Sequence, residues 1–159
     1  MKTIRYRAIV DSDVKYPLKK FEEELSMYLA DPDGWASRGY VFLHDRQRPE
    51  IMISLSSPAT IHKLGCQDPQ LSCAMLGGDS MHINAHRWTG GPVVRQSRSL
   101  DDYRQYVVSH EMGHVLGFDH VSCPGNGHAA PIMMQQTLGI GECSPNTKLT
   151  ATDTRSKKR

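Results

Sequence analysis

The sequence predicts an α+β fold: an α/β-like first part, then a second helix and a loop-rich tail. Three observations predict it. Apolar and polar residues alternate over 3–10. Apolar residues recur at helical spacing over 18–29 and again over 99–117. From 118 onward periodicity fades among many Gly, Pro and Ser residues. A chain of 159 residues fits one domain, 1–159, with an upper subdomain at 1–117 and a small lower one at 118–159.

Each element follows from its residues. Ile4, Tyr6, Ala8 and Val10 alternate with Arg5 and Arg7, which marks a half-exposed strand. Pro17 suits the first turn of a helix. Leu18, Phe21, Leu25, Tyr28 and Leu29 form its apolar stripe, with Lys19, Lys20 and Glu22 opposite. The helix should stop near Ala30, before Asp31-Pro32 and the turn Asp33-Gly34. Short strands are expected at 40–44, 51–55 and 81–85, a Gly/Cys/Pro-containing loop at 65–79, and a turn at Trp88-Thr-Gly-Gly-Pro92. Ser99-Leu-Asp-Asp102 fits a capping box for a second helix that Gly117 ends. On that helix Tyr103, Val107, His110 and His114 share one face. Val108, Met112 and Val115 share another, directed at the core.

Composition removes several functions. A net charge of +2 is too weak to imply a nucleic-acid partner. The basic tail Arg155-Ser-Lys-Lys-Arg159 reads as a solvated terminus. No apolar run approaches the ~20 residues needed to span a bilayer. The first seven residues alternate apolar with basic and lack a secretory signal, so the chain is either intracellular or a mature domain without its leader. Cys66, Cys73, Cys123 and Cys143 allow three pairings as two disulfides. Local pairing, Cys66–Cys73 and Cys123–Cys143, is the simplest, and two disulfides favour an oxidising compartment.

The chemistry is concentrated in His110-Glu-Met-Gly-His114-Val-Leu-Gly117-Phe-Asp-His120. Histidines four apart on a helix share a face and can bind one Zn2+. Gly117 tolerates a left-handed turn that brings His120 round as third ligand. Three histidines leave a fourth position for water, the arrangement of catalytic rather than structural zinc. Glu111, about 100° around the helix from His110, can act as general base on that water. A core of this size needs no metal to form, so zinc points to chemistry.

That stretch resembles the signature of the metzincin clan of zinc peptidases. The clan's methionine turn is matched by Ala130-Pro-Ile-Met133, with Met133 beneath the metal. Over most of its length the chain is also similar to an uncharacterised metzincin-like domain family of secreted or membrane-anchored actinobacterial proteins. The matching pieces are Asp31-Pro-Asp-Gly-Trp35, Leu71-Ser-Cys73, Ile83-Asn-Ala-His-Arg-Trp88, Tyr103-Arg-Gln-Tyr-Val107, Cys123-Pro-Gly125 and Pro131-Ile-Met-Met-Gln-Gln-Thr-Leu-Gly139 with Cys143. The resemblance implies a twisted mixed sheet with a backing helix and an active-site helix, over a loop-rich lower part. It also implies an edge strand beside a cleft, for which 81–85 is the candidate, with Gly90-Gly91 at the rim. It implies a secreted zinc metalloendopeptidase, acting as a monomer on protein or peptide, with no nucleic acid and no membrane span. The clan's tyrosine after the methionine turn has no counterpart, because no tyrosine follows Tyr106. Two alternatives share the zinc site: a non-catalytic module recognising peptides or cell surfaces, and a zinc amidase acting on cell-wall peptides.

Overall fold

A computed structural model describes residues 1–68, 70–90, 99–155 and 157. Gly91 and Pro92 of the expected turn, and Ser156, Lys158 and Arg159 of the basic tail, lie outside the described residues.

The first half is sheet and backing helix. Strand β1 (Lys2–Val10) buries Ile4, Tyr6 and Ala8 and exposes the residues between them. Helix α1 (Leu18–Leu29) buries Phe21, Leu25, Tyr28 and Leu29, as its stripe requires. Pro17 stands at its N-cap, just before the first turn where it was expected. Strands β2 (Tyr40–His44) and β3 (Ile51–Ser56) both run parallel to β1, on opposite sides of it. They use successive stretches of β1: β2 pairs with Lys2 to Tyr6, and β3 with Tyr6 to Val10. The connection can therefore be short. It is pinned where it crosses, by Asp45 N–H to Tyr6 O and Glu50 N–H to Arg5 O.

Helix α2 (Pro58–Lys63) follows, opened by Ser57, whose hydroxyl accepts from Thr60 N–H. Then come β4 (Cys73–Ala74), β5 (Ser80–Asn84) and the short α3 (Ala85–Trp88). The sheet order is β2-β1-β3-β5-β4, with β4 antiparallel to β5. The five-stranded mixed sheet with its helices bears out the α+β expectation.

One expectation is corrected. The strand expected at 81–85 is interior, lying between β3 and β4, and Ala85 already begins α3. The edge is β4, inside the segment expected to be loop. The Cys66–Cys73 disulfide closes that loop, and Asn84 N–H donates to Ser72 Oγ, so Cys73 is held against His82.

Helix α4 (Leu100–Val115) completes the core. Every residue from Tyr106 to Val115 is buried, rather than two separate faces. Sheet, α1, Trp35 and the chain after 118 surround it, so no side of it needs to be polar. Trp88 is fully buried and meets Phe21 and Tyr28 edge to face at 5.4 and 5.9 Å. Arg104 lies over the Trp88 ring, donates to Trp88 O and pairs with Glu24 of α1 at 2.7 Å. Trp88→Ala removes this shared packing and should cost about 3–5 kcal/mol. The midpoint and slope of urea unfolding measure that loss.

Candidate metal centre

Ser99 caps α4, its hydroxyl accepting from Asp102 N–H at 3.0 Å. At the other end Gly117 has φ 100°. Gly117 N–H donates to His114 O, and Phe118 N–H donates to Gly113 O. This pair of bonds reverses the chain at the helix end. His120 is thereby carried back to the helix. Its ring lies 5.3 Å from that of His110 and 4.6 Å from that of His114. The three histidines, far apart in role from their neighbours in sequence, form a group that could hold a metal ion, their nitrogens within 4.8 Å of one another.

The hydrogen bonds orient these rings. His110 Nδ1 lies 2.6 Å from Ile132 O, and His114 Nδ1 lies 2.8 Å from Phe118 O. A carbonyl only accepts, so each Nδ1 carries the proton and each Nε2 presents a lone pair. His114 Nε2 and His120 Nε2 are 3.0 Å apart. Two nitrogens on one tetrahedral zinc sit about 3.3 Å apart, given zinc–nitrogen bonds of about 2.0–2.1 Å. Burial, reinforced by His114, pushes His110 down to about 3. Burial also lowers His114 and His120. All three are therefore neutral near pH 7, the form that binds metal. The donor set fits zinc.

Glu111 is 5% exposed, and its Oε2 has no hydrogen-bond partner among the described residues. Burial pushes its carboxyl up to about 8. A cation held by the histidines reverses that tendency and favours the carboxylate. Glu111 and the three histidines line one cavity of about 450 Å3.

Met133 is fully buried and packs against Gly113 of α4. A Cβ on Gly113 would come within 2.2 Å of Met133 Sδ and 2.8 Å of Trp35 Cζ2. Only glycine lets the turn and the tryptophan reach the helix backbone. Trp35 donates from Nε1 to Ser109 O at 2.8 Å and stacks on Phe118 at 4.8 Å. Asp153 is fully buried too. Its Oδ1 accepts from Met133 N–H at 2.6 Å, and its Oδ2 from Thr150 N–H and Oγ. Tyr106 OH donates to Met134 O and accepts from Gln136 N–H. Sequence reasoning missed Gly113, Trp35, Tyr106 and Asp153 at this centre. Trp35 and Tyr106 lie in the pieces that carry the family resemblance, and Thr150-x-x-Asp153 matches a capping box, but none of these signals assigned a role at the centre.

The disulfides pair Cys66 with Cys73 and Cys123 with Cys143. The first walls the cavity; the second staples the segment after His120. Gly90 does not line the cavity, and Gly91 lies outside the described residues. His44, His62, His82, His86 and His128 stand apart from the cluster: His44 pairs with Glu22, and His82 meets Ser56 Oγ.

Fold and site together define an α+β protein with a three-histidine centre able to hold a metal ion. The chain belongs to the family described as Protein of unknown function (DUF3152), which matches residues 2–156. No curated protein matches it. It is similar to the crystal structure of myroilysin, with TM-score 0.45 and 16% identity over 81% of this chain and 46% of that one. A second myroilysin structure gives 0.44 and 14% over 80% of this chain and 46% of that one. The chain thus spans about half the length of these structures.

Gly113→Ala should destabilise the protein by about 1–3 kcal/mol or more through overpacking. Adding Met133→Ala removes the sulfur's share of the clash, leaving Trp35 Cζ2 at 2.8 Å, and should make the pair less than additive in a thermal-unfolding double-mutant cycle.

Proposed function

We propose that this protein is a zinc-dependent metalloendopeptidase of the metzincin type, with residues 1–117 and 118–159 forming the two sides of one catalytic domain. The observation that carries the reading is the buried, unpartnered Glu111 Oε2 in the same cavity as three converging histidines. A carboxylate with no structural partner is costly to bury. It is useful only if something in the cavity engages it.

Zinc held by His110, His114 and His120 supplies Lewis acidity, polarising a carbonyl and making water acidic enough to lose a proton near neutral pH. Glu111 takes that proton and delivers it to the leaving amine nitrogen. Ile132 O and Phe118 O hold the first two imidazoles in the required tautomer. Met133 and Gly113 fix the depth of the helix against the floor.

The substrate is a peptide or protein, met by a monomer acting outside the cell. Two disulfides support that compartment. Among the described residues no helix is long and apolar enough to cross a membrane. A non-catalytic recognition module would leave Glu111 without a role, and the Cys66–Cys73 loop walls the cavity instead of filling it.

The test is a peptide-library digest by zinc-loaded protein with and without a chelator, with peptidoglycan as a parallel substrate. Peptide products that disappear with chelator support the reading; products from peptidoglycan alone would replace it with the amidase. Glu111→Gln should lower kcat/KM by roughly 10²–10⁴-fold. It should still bind one zinc per chain and keep the rise in Tm that zinc produces. Cleavage by this variant at the parent's rate would refute the mechanism.

A further inference from the structure

We propose that Asp68 makes the cleft select a lysine or arginine side chain beside the cleaved bond. The inference rests on the peptidase reading and adds the substrate class to it.

The chain as a whole carries net charge +2, yet no lysine or arginine lines the cavity among the described residues. Its carboxylates are Glu111 and Asp68. Glu111 is committed to proton transfer at the metal. Asp68 is therefore the fixed charge left to meet a substrate side chain.

Asp68 is also held in place. It sits two residues from Cys66, inside the loop that the Cys66–Cys73 disulfide closes. Its Oδ1 accepts from Gln70 N–H at 2.9 Å, a bond that steadies the exposed carboxylate within the loop. Arg87 Nε donates to Gln70 O and ties the loop to α3. That guanidinium is not among the cavity's lining groups, and Asp68 forms no ion pair among the described residues. A preset, unpaired carboxylate on a stapled rim is suited to a cation brought by a ligand.

The surroundings narrow the cation to a long side chain. Leu71 lines the same loop, and Leu138, 65% exposed, lines the cavity from the segment after Met133. Lysine and arginine combine an apolar stem, which packs on such residues, with a charged tip that stays at the rim. A small inorganic cation would leave these leucines uncovered. An acidic side chain would meet like charge.

The experiment uses the zinc-loaded protein and matched peptides that differ only by lysine, glutamine or glutamate at each position flanking the cleaved bond. The lysine peptide should have a kcat/KM about two- to fivefold higher at one position, the range of an exposed ion pair. That preference should shrink as salt is raised. Asp68→Asn should bring the ratio to about one, and Asp68→Lys should turn it toward glutamate. The ratio within each variant is the measurement, so a loss of total activity does not obscure it. Cleavage without a lysine preference, or a preference that survives Asp68→Asn, overturns the assignment and leaves the peptidase reading standing. Failure to cut any peptide overturns both.

Discussion

A Cβ at residue 113 would lie 2.2 Å from Met133 Sδ and 2.8 Å from Trp35 Cζ2, so glycine is what lets both side chains pack directly on α4. This contact sets how deeply α4 sits against residues 130–136. Ile132 O comes from that same segment and orients His110, while Tyr106, one turn earlier on α4, grips Met134 and Gln136. Trp35 enters the same space from the upper half, bonded to Ser109 O and stacked on Phe118. Phe118 O in turn orients His114. The orientation of two of the three imidazoles, His110 and His114, therefore follows from packing around a missing Cβ.

The described residues after 117 have little regular structure, and polar bonds replace periodic burial there. Asp153 holds Met133 N–H to the final 3-10 turn across twenty residues of sequence. Gln136 Nε2 donates toward Ala130, Pro131 and Asn146 carbonyls. Cys123–Cys143 closes the loop between. Buried and paired, such groups specify one arrangement; a single missing partner exposes the full desolvation penalty. That is why so irregular a segment can form a fixed floor.

Elements with their own periodicity were legible. Ile4, Tyr6 and Ala8 announced β1, and the stripe from Phe21 to Leu29 announced α1. The histidine spacing, with Gly117 as the turn, carried the metal centre. What stayed hidden depends on tertiary contact. β4 is two residues long and exists because a disulfide and Ser72 hold it beside β5, so no pattern could mark it. The faces of α4 blurred because the helix is buried all round. Gly113 read as an arbitrary residue between histidines, since its reason is a sulfur atom twenty residues away. Asp153 lay in a stretch where polarity suggests solvent, although it is fully buried.

The sites where local rules fail are concentrated around the histidines, and this bears on function. Most of the core satisfies its polar groups: Trp35, Tyr106, Gln136 and Asp153 all find partners. Trp88 Nε1 in the core and Glu111 Oε2 in the cavity depart from that pattern, and of the two only Glu111 is ionisable, its carboxyl raised by burial. An apolar residue of similar volume would remove the penalty, since Oε2 accepts no hydrogen bond among the described residues. Natural folds tolerate such local inconsistency mainly where chemistry requires it. The neighbours of Glu111 are three histidines that could hold a metal ion, and a cation bound there would supply the positive charge that the buried carboxyl lacks. The burial that costs the fold stability at Glu111 is also what raises its carboxyl toward neutral pH, the range the proposed general base requires.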